Sequence, residues 1–184
     1  LGGTPYAGST RMYPIASGYA NNIYNGSIVS VVAAGTIVFT AAVGTAAAPF
    51  QAGTVGVFVG CTFTDPNSGN VVFRQNWPTG TVAADALAYV VDDPAAIFQV
   101  QANGTVAQAG LGSNCFLVVQ ATGTGNLSSG NSTTAAVAAT VQTAAAFKIV
   151  GFVDSPTSTV GDAFTDLLVK FNPAAHAYTN GLGI

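Results

Sequence analysis

Residues 27–42 read Ser27-Ile28-Val29-Ser30-Val31-Val32-Ala33-Ala34-Gly35-Thr36-Ile37-Val38-Phe39-Thr40-Ala41-Ala42, and how they are read decides the fold. In a chain of mean hydropathy +0.48 they are the best candidate for a membrane span. They also lie inside an uncharged run from residue 12 to residue 64. A spanning helix needs about 20 nearly continuous apolar residues. Here Ser30, Gly35, Thr36 and Thr40 interrupt the short window from Ile28 to Val43. The β-branched residues favour strand, and Ala34-Gly35 in the middle supplies a turn. Two strands, 27–33 and 36–42, folded back on each other are therefore expected, and no membrane partner.

Outward from this hairpin the pattern repeats. Gly 22 and Pro 8 cut the 184 residues into short segments rich in Val, Ile, Phe, Tyr and Thr. Turn signals every 8 to 12 residues or so are the mark of an all-β domain. Further strands are expected at 55–62, 70–75, 86–92, 96–101, 114–121, 146–154 and 163–171. In Ile97-Phe98-Gln99-Val100-Gln101 the glutamines share one face. Lys148-Ile149-Val150-Gly151-Phe152-Val153 is apolar on both faces, as a central strand would be. Asp65-Pro66-Asn67-Ser68-Gly69-Asn70, Asp92-Asp93-Pro94 and Asn103-Gly104 carry turn chemistry, so the middle of the chain reads as a meander.

Two regions resist this period. Residues 1–26 contain Tyr6, Tyr13, Tyr19 and Tyr24 among glycines and prolines, without alternation. They read as an extended arm whose tyrosines pack on another surface, such as a neighbouring subunit. Residues 122–145 turn from Gly/Ser/Asn-rich to Ala/Thr-rich. Alanine favours a helix over 133–146, but Thr133, Thr134, Val137, Thr140, Val141 and Thr143 oppose it, so a long loop and a weak strand are expected. The fold expected is all-β: a single small β-sandwich or barrel-like domain over 27–184, preceded by an arm over 1–26.

Composition narrows the function. Four cations and seven Asp, with no Glu, make the chain 6% charged, where soluble domains average about 25%. A net charge of -3 with four scattered cations cannot neutralise many phosphates, so no nucleic-acid partner is expected. One His and no Glu leave little for acid/base catalysis, and an enzyme is not expected. So sparse an ionic surface suggests one covered by partners.

The chemistry-bearing residues give bland readings. No nucleophile elbow or Walker loop is present, and no cofactor is expected. His176 has only Asp166, ten residues away, as a near acid, and reads as a packed histidine. Asp65-x-Asn67-x-Gly69 lacks the distal acid of a calcium loop and reads as an Asx turn, so no metal is expected. Asp92 and Asp93 would point to opposite faces of a strand, which suits a turn better than a glycosidase pair. Cys61 and Cys115 sit in apolar strands and read as reduced, buried thiols. Trp77, beside Pro78, reads as an interface anchor ahead of a carbohydrate platform, because a second aromatic and a flanking acid are missing.

Several stretches together resemble a known class. Gly18-Tyr19-Ala20-Asn21-Asn22-Ile23-Tyr24-Asn25-Gly26-Ser27-Ile28-Val29 is similar to the start of small head proteins of tailed bacteriophages. Gly56-Val57-Phe58-Val59-Gly60-Cys61-Thr62-Phe63, Phe73 with Trp77-Pro78, Ala88-Tyr89-Val90-Val91-Asp92-Asp93-Pro94, Phe98-Gln99-Val100-Gln101 and the region 147–171 continue it. The resemblance implies a virion structural protein, a capsid decoration or cement protein. Such proteins are β-rich homotrimers that clamp the major capsid protein on the outer capsid surface, reaching across with terminal arms. The interface residues expected are Tyr6, Tyr13, Tyr19, Tyr24 and Trp77. The rival class is a secreted adhesive or pilus-type β subunit that binds carbohydrate. Those are equally low in charge and often carry two cysteines in one bridge, and this N-terminal arm lacks the alternation that donates a strand.

Overall fold

The computed structural model describes residues 10–40, 53–117, 125–137, 145–153 and 155–181. The strands in chain order are β1 (Arg11–Pro14), β2 (Ile23–Tyr24), β3 (Ile28–Val31), β4 (Ile37–Phe39), β5 (Thr54–Thr64), β6 (Val71–Arg74) and β7 (Asn76–Trp77). They continue as β8 (Leu87–Val91), β9 (Phe98–Gln101), β10 (Asn114–Cys115), β11 (Gly125–Asn126), β12 (Asn131–Ser132), β13 (Phe147–Phe152) and β14 (Asp166–Phe171). The fold is all-β, a small sandwich of antiparallel sheets rather than a closed barrel. No helix among the described residues is long and apolar enough to cross a membrane.

The decisive stretch forms the expected hairpin. β3 and β4 pair antiparallel, Val31 opposite Ile37, and Gly35 turns the chain with φ at +74°, in the left-handed region that favours glycine. This hairpin is one side of a six-stranded sheet in the order β1-β8-β5-β3-β4, with β6 alongside the far half of β5. An isolated bridge from Ile15 to Ile37 brings the two edges together, so the sheet curls around its own core. That core contains Val29, Ile37, Val55, Phe58, Cys61, Phe63, Trp77 and Val90.

β5 keeps Val55, Phe58, Cys61 and Phe63 all inside although their spacings are not uniformly even. Two register shifts make this possible, one against β3 near Val29 and one against β8 between Phe58 and Gly60. Each bulge inserts one residue and flips the alternation. Gly56 is tied to this arrangement by close approach: a Cβ there would lie 2.1 Å from the Val91 carbonyl oxygen.

A second sheet, β10-β13-β14-β9, covers part of the curled sheet's outer face. Their shared core holds Ile28, Leu117, Phe147, Ile149, Leu167, Val169 and Phe171. As its sequence suggests, β13 is an inner strand. Gln99 and Gln101 share the exposed face of β9.

The meander does not continue through the middle of the chain. β8 belongs to the first sheet and β9 to the second, so Asp92-Asp93-Pro94 is a crossover between sheets. Asn103-Gly104 joins no hairpin either; Asn103 donates its N–H to the Ala136 carbonyl at 2.8 Å. In the long loop, β11 and β12 form a two-stranded hairpin, and Ala136 bridges to Ala102 and Leu117. The remainder of 122–145, at 122–124 and 138–144, lies outside the described residues.

The free arm is corrected for residues 10–26. β1 pairs along β8 from Arg11–Val90 to Pro14–Leu87, and Ile23 and Tyr24 pair with Trp77 and Asn76. Ile15, Ile23 and Tyr24 are buried. A four-residue strand and single apolar anchors satisfy the backbone here without the sustained alternation that would announce them.

Candidate functional site: an apolar sheet face and a polar clasp

Where the second sheet does not cover it, the outer face of the curled sheet is exposed and apolar. Cross-strand register puts Pro14, Leu87, Thr62 and Phe73 in one row, with Met12, Tyr89 and Gly60 in the next. Relative exposure is 74% for Val71, 61% for Phe73, 57% for Met12 and 37% for Leu87. The Phe73 ring lies over Gly60, where a Cβ would come within 2.6 Å of its Cζ, and stands 5.9 Å from the Tyr89 ring. At its border Thr64 donates its hydroxyl to Asp85 at 2.6 Å, which holds the Asp85 carboxyl below its ordinary pKa. Sequence alternation alone hides this face, because cross-strand register assembles it from β1, β8 and β6, which lie far apart in the chain.

The inward face of β1 builds a second feature. Asp92, at the end of β8, accepts from Arg11 Nε at 3.0 Å and from the Tyr13 hydroxyl at 2.7 Å. Tyr178 joins from the C-terminal segment, bonding the Tyr13 hydroxyl and accepting from Arg11 Nη1 at 3.3 Å. Burial, then the bonds to Tyr178 and Asp92, push the Tyr13 phenol well above its usual range. Asp92 in turn raises the Arg11 pKa. Such a phenol stays protonated and donates, so the cluster works as a clasp, fastening residues 172–181 to β1.

His176 sits under this clasp, fully buried, its ring 5.2 Å from Phe171 and 5.4 Å from Tyr178. Its Nδ1 accepts the Tyr178 N–H at 3.2 Å, while Nε2 meets no hydrogen-bond partner among the described residues. Burial lowers its pKa, and the backbone of Val55 and Asp92 with the carboxylates of Asp92 and Asp93 acts in opposition. The packed-histidine reading holds, but its acidic neighbours come from far along the chain.

The expected anchors divide. Tyr6 lies outside the described residues. Tyr13 belongs to the clasp. The Tyr19 hydroxyl accepts the Phe39 N–H at 2.8 Å. Tyr24 is buried against Gly125, where a Cβ would meet its ring at 2.5 Å. Trp77 is corrected outright: it is fully buried, edge-on to Phe63 at 5.3 Å, with Nε1 donating to the Tyr19 carbonyl at 3.4 Å. An indole enclosed by its own chain cannot plug a neighbour. The exposed aromatic on the open face is Phe73, which alternation on a short strand beside a loop does not single out.

Cys61 and Cys115 are free, buried, and each pushed up to about 12 by burial. Asp65 accepts the Asn67 N–H at 2.9 Å, the Asx turn expected. No group of three or more His, Cys or Asp side chains converges among the described residues. No family model matches the chain, and neither a curated protein nor a solved structure matches it.

Proposed function

We propose that this chain is a virion structural protein, a decoration protein that binds the major capsid protein of a tailed bacteriophage from outside and stabilises the shell. The observation that carries this reading is the apolar outer sheet face around Phe73, Val71, Met12 and Leu87. An exposed apolar patch on a sheet in a chain 6% charged marks a surface that lies against another protein. The homotrimer and the outer-surface location come with the same resemblance and are proposed with it. Two buried thiols with no disulfide favour this reading over the secreted adhesive subunit, which would carry a bridge.

The test is reconstitution. Purified chain is mixed with phage heads lacking it, and the shells are imaged at low resolution. Regular density on the outer surface at symmetry-related positions supports the reading. Bare shells under saturating protein, with retention on an immobilised glycan set, would replace it with the adhesive one.

A further inference from the structure

The seam between the two sheets is open along β9. Behind this strand lies a cavity of about 250 Å³ walled by Val57, Phe98, Val100, Phe147 and Val169. Gln99 and Gln101 of β9, with Ser132 and Thr134, complete its lining. No charged side chain lines it among the described residues.

β9 is the edge of its sheet, and its backbone bonds alternate. Ala102 donates to the Thr165 carbonyl at 2.9 Å, toward β14, so the even-numbered residues bond inward. The odd ones point outward: the Gln101 carbonyl accepts from Ala136 at 2.8 Å, and Asn103 donates to Ala136. The edge is therefore already used for pairing at its far end. By the same alternation the N–H and C=O of Gln99 point away from β14, where no described residue bonds them. Edge groups that no described residue bonds, beside an apolar cavity, are an incomplete part of a sheet.

Size and charge choose the occupant. An apolar cavity of about 150 Å³ already accepts benzene, whereas pockets for drug-sized ligands begin at about 300 Å³. The space here suits one large apolar side chain, and the outward backbone groups of Gln99 suit the strand that carries it. We propose that β9 accepts an extended segment of a partner protein, uncharged and alternating, which pairs with Gln99 and inserts one aromatic or large aliphatic side chain between Val57 and Phe147. Strand addition of this kind draws affinity from main-chain bonds and specificity from the pocket. The site is separate from the sheet face around Phe73, and it stands whether or not that face binds a capsid.

The test uses the whole chain, labelled with nitrogen-15, and two capped peptides, Ser-Thr-Thr-Phe-Thr-Thr-Ser and the same with Ala for Phe. In the free protein the Gln99 amide should exchange fast and the Val100 amide slowly. The Phe peptide should shift Gln99 and Gln101 and slow Gln99 exchange, and the Ala peptide should bind about tenfold more weakly. Filling the cavity by Val100→Phe should abolish the shifts while circular dichroism stays native. Should that variant fail to fold, Gln99→Pro, which removes the outward N–H at an edge position where proline is tolerated, takes its place, read at Gln101. A Gln99 amide protected in the free protein overturns the proposal, since the edge would already be covered. So does equal binding of both peptides, or binding of a small apolar dye at this cavity with no response to either peptide.

Discussion

Replacing Trp77 by alanine separates an internal anchor from a surface one. The side chain is fully enclosed, pairs edge-on with Phe63, and sits on a strand held to Ile23. Truncating a buried Trp costs about 3–5 kcal/mol, which already includes a ring-pair contribution of about 0.5–1.5 kcal/mol. The Tyr19 carbonyl loses its donor as well, at about 1 kcal/mol if it stays dry. A loss of about 4 kcal/mol, at roughly 2–4 °C per kcal/mol for a domain of this size, lowers Tm by roughly 8–16 °C. Thermal unfolding followed by circular dichroism reads this directly, with Trp77→Phe expected to recover about half because it keeps the ring contact. A Tm change below about 2 °C, with a simultaneous loss of self-association, would refute the internal placement and restore the interface anchor.

Three further expectations concern the fold. Gly56→Ala should cost about 2 kcal/mol or more, since its Cβ meets the Val91 carbonyl and β5 must part from β8, while a cost under about 0.5 kcal/mol in urea unfolding would contradict the close approach. For His176 the folded pKa lies below 6.5, so the unfolded chain takes up its proton first as pH falls. Stability should therefore drop below pH 6.5 down to that lowered value, and His176→Gln should remove this part of the slope; identical slopes would count against it. Both thiols should resist labelling in the native protein at pH 8 and both should react in denaturant without reductant. Their folded pKa is pushed to about 12 from 9.0, so stability should fall as pH rises above 9.0, and zero reactive thiols in denaturant would mean a disulfide.

The sequence was readable where structure is local. The Ala34-Gly35 hairpin, the period of β9 and the inner position of β13 follow from residues within one or two turns of each other. Contacts set by long separations were not. Arg11 meets Asp92, and Tyr13 meets Tyr178 across 165 residues, so neither His176 nor Asp92 shows its neighbours in any local window. The bulges in β5 set which of its own residues face the core, while Phe73 faces out and Trp77 is buried through pairing with separate partners, Thr62 and Ile23. The arm misled for a related reason: two short strands and three buried side chains attach it, too few to create a period. The switch of sheets between β8 and β9 leaves no mark either, because a crossover turn and a hairpin turn use the same Asp, Pro and Asn.

Whether the apolar face around Phe73 binds the shell is decided by counting copies of a variant that carries charge there. Copies of the double variant Val71→Asp/Phe73→Asp bound to decoration-free phage heads are counted by densitometry and imaging, beside the unaltered chain. Both side chains are mostly exposed, so the fold should survive, which circular dichroism checks. The unaltered chain should reach saturating occupancy that moderate salt does not reverse, and the variant should lose at least about tenfold. Equal occupancy by a folded variant would contradict it.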